Sequence, residues 1–142
     1  MKIVLDTNVF VSGIFFSGPP YTILKAWRDG TVELIISPSI FQEYRRVSDE
    51  LSKQSSQIDF SEILSLLLTR SEMVESPDLP EPVCTDPDDD KFLACAVAAS
   101  APCVVSGDRH LLRVGTYRGV RVLTPRAFVD RYLDTRSDRH TE

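Results

Sequence analysis

Lys2-Ile3-Val4-Leu5-Asp6-Thr7-Asn8 is the stretch that decides the fold. Three aliphatic residues in succession, without polar alternation, read as a short strand buried on both faces in the middle of a parallel sheet. The strand runs directly into three polar side chains. In an open α/β sheet, ligands sit outside the carboxyl ends of the strands. Asp6 is therefore a candidate site residue, although a strand-end aspartate also often caps the turn that follows it.

Working outward, two more short apolar runs end the same way. Glu33–Ile36 leads into Ser37-Pro38, a helix N-cap with proline at the first helical position. Cys103–Ser106 leads into Gly107-Asp108, and Val120–Leu123 leads into Thr124-Pro125. Between them lie helical patterns. Tyr21–Arg28 carries Ile23, Leu24 and Trp27 on one side, and the helix after Ser37 runs to about Leu51 with a stripe of Ile40, Phe41, Tyr44, Val47 and Leu51. Phe60–Thr69 buries Ile63, Leu64, Leu67 and Leu68. The run Thr85–Asp90 opens an alanine-rich helix through about Ser100, Leu111-Leu112 marks a helical turn, and a last helix carries Phe128, Val129, Tyr132 and Leu133. Val9–Phe16 is apolar without a clear period. Met73-Val74 is short and extended, and Ser76–Pro82 is a proline-rich loop. Strands alternating with helices call for a mostly parallel sheet covered on both faces. One α/β domain over residues 1–134 is expected, followed by a charged, flexible tail at 135–142.

Composition narrows the class. No run reaches the ~18 apolar residues of a membrane span, and no basic-then-apolar leader opens the chain, so a cytoplasmic location without membrane contact is expected. Cys84, Cys95 and Cys103 are too few and too irregularly spaced for a disulfide framework or a zinc site. The net charge of −5 is unevenly spread: residues 1–100 hold 8 basic against 16 acidic side chains, and residues 101–142 hold 8 arginines against 5 acids. An acidic centre with a basic flank is compatible with a nucleic acid, because bound cations cancel carboxylates locally.

The acids carry the chemistry. Within Asp86–Asp90, Asp86 or Asp88 suits an N-cap, but four carboxylates in five positions exceed what capping requires. Asp6 and Asp108 end parallel strands at one edge of the sheet, and Glu43 and Asp89 stand in early turns of helices beginning at that edge. Right-handed crossovers bring these helix starts to one side. Alone, Glu43 reads as a half-exposed glutamate paired with Arg45 or Arg46. Four carboxylates gathered without Lys or Arg among them need a divalent ion, and all-oxygen donors select Mg2+ or Mn2+. Such a site clamps a phosphodiester and activates a water, and no Ser, Cys or His is placed for covalent attack.

Leu5-Asp6-Thr7-Asn8-Val9-Phe10, Glu43, Asp86-Pro87-Asp88-Asp89-Asp90-Lys91-Phe92-Leu93-Ala94 and Ser106-Gly107-Asp108-Arg109-His110-Leu111-Leu112, in this order, resemble the PIN domain family. The likeness extends over roughly residues 1–133 and is to the branch of toxins of toxin–antitoxin systems related to VapC. It implies a three-layer α/β/α fold and a Mg2+- or Mn2+-dependent endoribonuclease, often a homodimer, partnered by an antitoxin protein. By position, Asp6, Glu43, Asp89 and Asp108 become the catalytic, metal-holding acids. Asp89 is chosen within its run because Phe92 and Ala96 then fall three and seven residues later. The resemblance casts Thr7 and Asn8 as groups orienting carboxylates and water, and Asp86 as an outer helper. Ser106 stands where the family commonly has Thr, keeping the hydroxyl, and His110 stands where this branch often has Asp.

Arg109, Arg113, Arg118 and Arg121 are candidates to steer an RNA backbone, or plain surface charge. Val9–Phe16 and Ile63–Leu68 suit either core or a surface for a second copy or an antitoxin. An aspartyl-phosphate phosphatase is disfavoured, since it needs an acid where Asn8 stands and a lysine beyond Lys91. The remaining alternative is a PIN-like module that binds RNA or protein without cutting it.

Overall fold

Ile3, Val4 and Leu5 are completely buried, and the strand they build sits at the centre of a six-stranded sheet. The computed structural model describes residues 1–54 and 59–133. The strands are β1 (Lys2–Leu5), β2 (Glu33–Ile36), β3 (Glu72–Met73), β4 (Cys103–Val105), β5 (Thr116–Tyr117) and β6 (Val120–Leu123), in the order β3-β2-β1-β4-β6-β5. All neighbours are parallel except β5 and β6. The helices are α1 (Thr7–Phe15), α2 (Pro19–Arg28), α3 (Pro38–Gln54), α4 (Ser61–Arg70), α5 (Asp90–Ala99), α6 (Arg109–Leu112) and α7 (Pro125–Phe128). From β1 to β3 the chain moves one way across the sheet, and from β3 to β4 it returns. Right-handed crossovers thus place α1 to α4 on one face and α5 on the other, giving three layers. The reversal lies between β1 and β4, and that is where an open parallel sheet leaves a crevice at its carboxyl edge.

Most elements form where the sequence places them. Ser37 Oγ accepts the Ile40 backbone N–H at 3.3 Å and Thr124 Oγ1 accepts that of Ala127 at 3.1 Å, both as helix N-caps. Ile23, Leu24 and Trp27 are the buried side of α2, which starts at Pro19-Pro20, two residues earlier than its apolar period. Cys84, Cys95 and Cys103 are buried free thiols; burial pushes Cys95 up to about 12, and burial together with Asp90 does the same for Cys84. Among the described residues no helix is long and apolar enough to cross a membrane.

The differences have local causes. Val9–Phe15, in the stretch left without a period by the sequence, is helical because it is covered by two elements, and Phe16 ends the helix in extended backbone. Gly13 abuts α2 so closely that a Cβ there would stand 2.6 Å from Leu24 Cδ1, and Phe10 stacks on Tyr44 of α3 with ring centroids 4.3 Å apart. Phe16 and Leu68 remain exposed, so Leu68 is not on the buried side of α4. The antiparallel strand β5 is new. It turns into β6 through Arg118-Gly119, both at positive φ, a pairing that matches hairpin twist. The last helix changes winding, with α7 followed by π-helical Val129–Leu133. The tail expected at 135–142, and the centre of the polar spacer before α4, lie outside the described residues.

Tyr44 ties these layers to the strand end. Fully buried, it stacks on Phe10 and donates its hydroxyl to the Leu5 carbonyl at 2.5 Å. Tyr44→Phe keeps the stacking and orphans that carbonyl bond. It is expected to cost about 1–2 kcal/mol in urea unfolding with an unchanged m-value; an unaltered midpoint would show that the bond contributes nothing.

Candidate active site

The crevice between β1 and β4 is built around Asp6, only 7% exposed at the end of β1. Its position is that of an N-cap to α1, yet its side chain makes no capping hydrogen bond. The carboxylate is held instead from the neighbouring strand. Ser106, fully buried, donates its hydroxyl to Asp6 Oδ2 at 2.6 Å and accepts the Asp108 backbone N–H at 3.0 Å. One hydroxyl therefore sets both the orientation of Asp6 and the path of the backbone at Asp108. Asp108, half-buried, N-caps α6 by accepting the His110 N–H at 2.8 Å. His110 itself is exposed.

Glu43 arrives on α3. The Thr7 hydroxyl donates to its Oε2, and Lys91 Nζ donates to its Oε1 at 2.6 Å. Lys91 also binds Asp88 at 2.9 Å, and Arg46 stands 3.9 Å from Glu43. The expectation of four acids without a lysine or arginine among them is corrected here. Lys91 faces Asp88 one helical turn away and reaches α3 because the starts of α3 and α5 meet at this edge. Spacing within the run signals the Asp88 pair, whereas the long-range contact with Glu43 leaves no sequence signal. A cleft of ≈460 Å³, lined by Ser39, Asp78, Leu79, Pro87, Asp88 and Lys91, adjoins the pair.

The aspartate run resolves into separate tasks. Asp86 Oδ1 accepts the Asp88 N–H at 3.0 Å and so turns the chain. Asp90 accepts the Val83 and Cys84 N–H groups at 3.1 and 2.7 Å, fastening the preceding loop. Asp88 is paired with Lys91. Asp89 alone has no side-chain partner among the described residues. Asn8 is exposed, and its backbone amide faces Asp6. Arg109 follows Asp108 at the carboxyl edge. Arg118 and Arg121 lie elsewhere: β6 runs parallel to β4, so its start, with the turn before it, is at the amino edge.

The electrostatics divide the acids into two groups. Burial raises the carboxyl of Asp6, with the Ser106 hydroxyl opposing, and Asp108 and Glu43 push it further up. Burial, then Asp108 and Asp6, lift Asp89 to about 6. The Lys91 ammonium holds Asp88 down, and its bonds to Glu43 and Asp88 hold Lys91 itself up against the opposing effect of burial. None of Asp6, Asp89 and Asp108 has an ion-pair partner among the described residues. This anionic, all-oxygen set has the chemistry that takes a hard divalent cation. As they stand, though, no three His, Cys, Asp or Glu side chains among the described residues are arranged to hold one.

The sequence matches the PIN domain family over residues 2–110. It is 29% identical over 145 residues to the uncharacterised protein MJ1680 of Methanocaldococcus jannaschii, spanning 93% of this chain and 92% of that one. The fold is similar to that of VapBC2 from Rickettsia felis, solved bound to a DNA fragment from its promoter, with TM-score 0.57, 17% identity, and 86% and 97% of the two chains covered. It is also similar to that of PAE2754 from Pyrobaculum aerophilum, with TM-score 0.59, 14% identity, and 92% and 88% covered.

The upward shifts fix a pH dependence. Folded, Asp6 and Asp89 bind protons more tightly than in the unfolded chain, where such carboxyls titrate near 3.8. The stability gained is fully present below that value and is lost as the pH rises through each raised pKa, about 6 for Asp89. In metal-free solution, Asp89→Asn is expected to raise Tm by about 2–5 °C near pH 7.5 and by much less near pH 4, by calorimetry. A fall in Tm near pH 7.5 would contradict the repulsion.

Proposed function

The chain belongs to the PIN domain family, and on that premise we propose that it is a divalent-metal-dependent endoribonuclease, the toxin of a toxin–antitoxin pair. The observation that carries the reading is the trio Asp6, Asp89 and Asp108, which repel one another at the carboxyl edge without a cation among the described residues to balance them. Mg2+ or Mn2+ would be held by these three, with Glu43 as the fourth acid at their flank. When bound, the ion supplies charge neutralisation toward a phosphodiester and a water of lowered pKa.

The rest is done by the chain itself. The buried Ser106 hydroxyl keeps Asp6 pointed into the crevice, and Thr7 does the same for Glu43. Asp89, lifted to about 6 by burial and by Asp108 and Asp6 while no ion is bound, is the acid whose charge a divalent cation would relieve. Asp86 sets the turn that presents it. Arg109, exposed beside Asp108, is placed to hold an RNA phosphate at the rim. The fold shared with VapBC2 supports a small antitoxin protein as partner. Pairing with a second copy and a cytoplasmic location belong to the same reading.

RNA cleavage measured on a mixed single-stranded and structured panel tests it. Cutting is expected with Mn2+ or Mg2+ and not with EDTA. Asp6→Asn, which preserves the Ser106 bond, is expected to lower it by about two orders of magnitude or more with a Tm no lower than that of the wild-type chain. Cleavage that persists in EDTA or in the variant would overturn the assignment, and a folded protein that binds RNA without cutting it would favour the non-catalytic module.

A further inference from the structure

Between Asp108 and Asp130 the chain carries five arginines, Arg109, Arg113, Arg118, Arg121 and Arg126, and no Asp or Glu. All five are exposed, and none has an ion-pair partner among the described residues. In a chain of net charge −5 this is a segregated cationic flank. The fold draws part of it out into a line. Arg109 stands beside Asp108 at the carboxyl edge, and Arg113 ends α6. The outermost strand, β5, then runs antiparallel to β6 and delivers Arg118 to the amino edge. β6 is four residues long, so those two edges are about 13 Å apart along it.

The turn at the far end is not explained by its backbone. Tyr117-Arg118-Gly119-Val120 is a two-residue hairpin loop with φ of +48° at Arg118 and +82° at Gly119. Such loops favour Asn-Gly or Gly-Gly, because a bulky side chain resists positive φ. Arginine supplies nothing that the turn needs. It supplies instead a guanidinium over the Tyr117 ring, 5.4 Å from the centroid. A flat, exposed cation of this kind can bond a phosphate and stack on a base.

We propose that Arg109, Arg113 and Arg118 form a track for the phosphate backbone of a single RNA strand, leading it from the acidic edge along the β5 flank to the amino edge. The inference rests on the ribonuclease reading above and adds to it a binding site away from the reacting region. Separate cations spaced along an exposed flank, one of them laid on an aromatic ring, suit a single strand, whose backbone bends and whose bases are open. Without divalent ions the acidic edge repels RNA, and the track is then the attraction that remains.

Binding of a fluorescent single-stranded oligouridine in EDTA, followed by anisotropy across a range of KCl, tests this without cleavage. The wild-type chain is expected to bind. Arg118→Asn gives the turn its favoured residue and is expected to keep or raise Tm, while the slope of log K against log salt becomes shallower by about 0.7. Arg113→Gln is expected to change the slope by the same amount, and Arg118→Lys, which keeps the charge, to leave it as it was. Lys53→Gln removes an exposed charge from the end of α3 and is expected to have no effect. An unchanged slope in folded Arg118→Asn and Arg113→Gln, an equal change in Lys53→Gln, or no binding by the wild-type chain would overturn the track and leave the nuclease reading to the cleavage assay. A lower Tm in Arg118→Asn with unaltered binding would also overturn it, assigning the arginine to the adjoining carboxyl end of α5, where a cation is favourable. A strand held through these arginines by a chain that cuts no RNA would keep the track and overturn the nuclease.

Discussion

A carboxylate sealed into the end of the central strand governs this structure. Burying Asp6 costs free energy that only specific partners return, and the partner here is a hydroxyl on the adjacent strand. For Ser106 to reach Asp6, β4 must lie beside β1 in register, with Leu5 opposite Val105. That pairing is also where the chain reverses direction across the sheet, so the polar requirement and the topology specify the same crevice. The aliphatic core could be satisfied by several strand orders; the Asp6–Ser106 bond is satisfied by β1 and β4 as neighbours.

Around that crevice the chain uses its own groups to settle most of the charge, and leaves the rest open. Tyr44 pins α3 to the strand end through the Leu5 carbonyl, which sets the adjacent Glu43 against Thr7. Asp86, Asp88 and Asp90 are each consumed by a backbone amide or a lysine. What remains is a small region of unbalanced negative charge at the mouth of a parallel sheet. A protein core does not tolerate that arrangement for stability alone, and functional sites are where such perturbed groups collect.

Much of this was legible in the residues, for physical reasons that also mark its limits. β1, β2 and β4 announce themselves because buried parallel strands are continuous apolar runs, and Ser37-Pro38 and Thr124-Pro125 announce helices because capping is local chemistry. Helix α1 was not legible. It is apolar nearly all round, and its helicity follows from Gly13 against Leu24 and Phe10 against Tyr44, contacts made by distant segments. The two-residue β5 is too short to carry a period. In the site, Asp6 and Asp108 could be placed from strand ends alone. The different roles of Asp86, Asp88, Asp89 and Asp90 depend on which amide or ammonium each one meets, and so does the pairing of Lys91 with Glu43. Arg118 and Arg121 look like neighbours of the site in sequence, but strand direction carries them to the opposite end.

The three buried thiols make the molecule its own reporter of opening. With Cys84 and Cys95 at about 12 and Cys103 also raised, almost no thiolate exists in the folded chain at neutral pH, and alkylation must wait for exposure. Their positions differ in kind. Cys95 and Cys103 sit in α5 and β4, within the core, and become reactive only with unfolding that reaches the sheet. Cys84 lies in a loop fastened by the Asp90 carboxylate, where a small local excursion suffices. Labelling rates at the three sulfurs therefore separate breathing of the loop beside the acidic edge from loss of the fold itself.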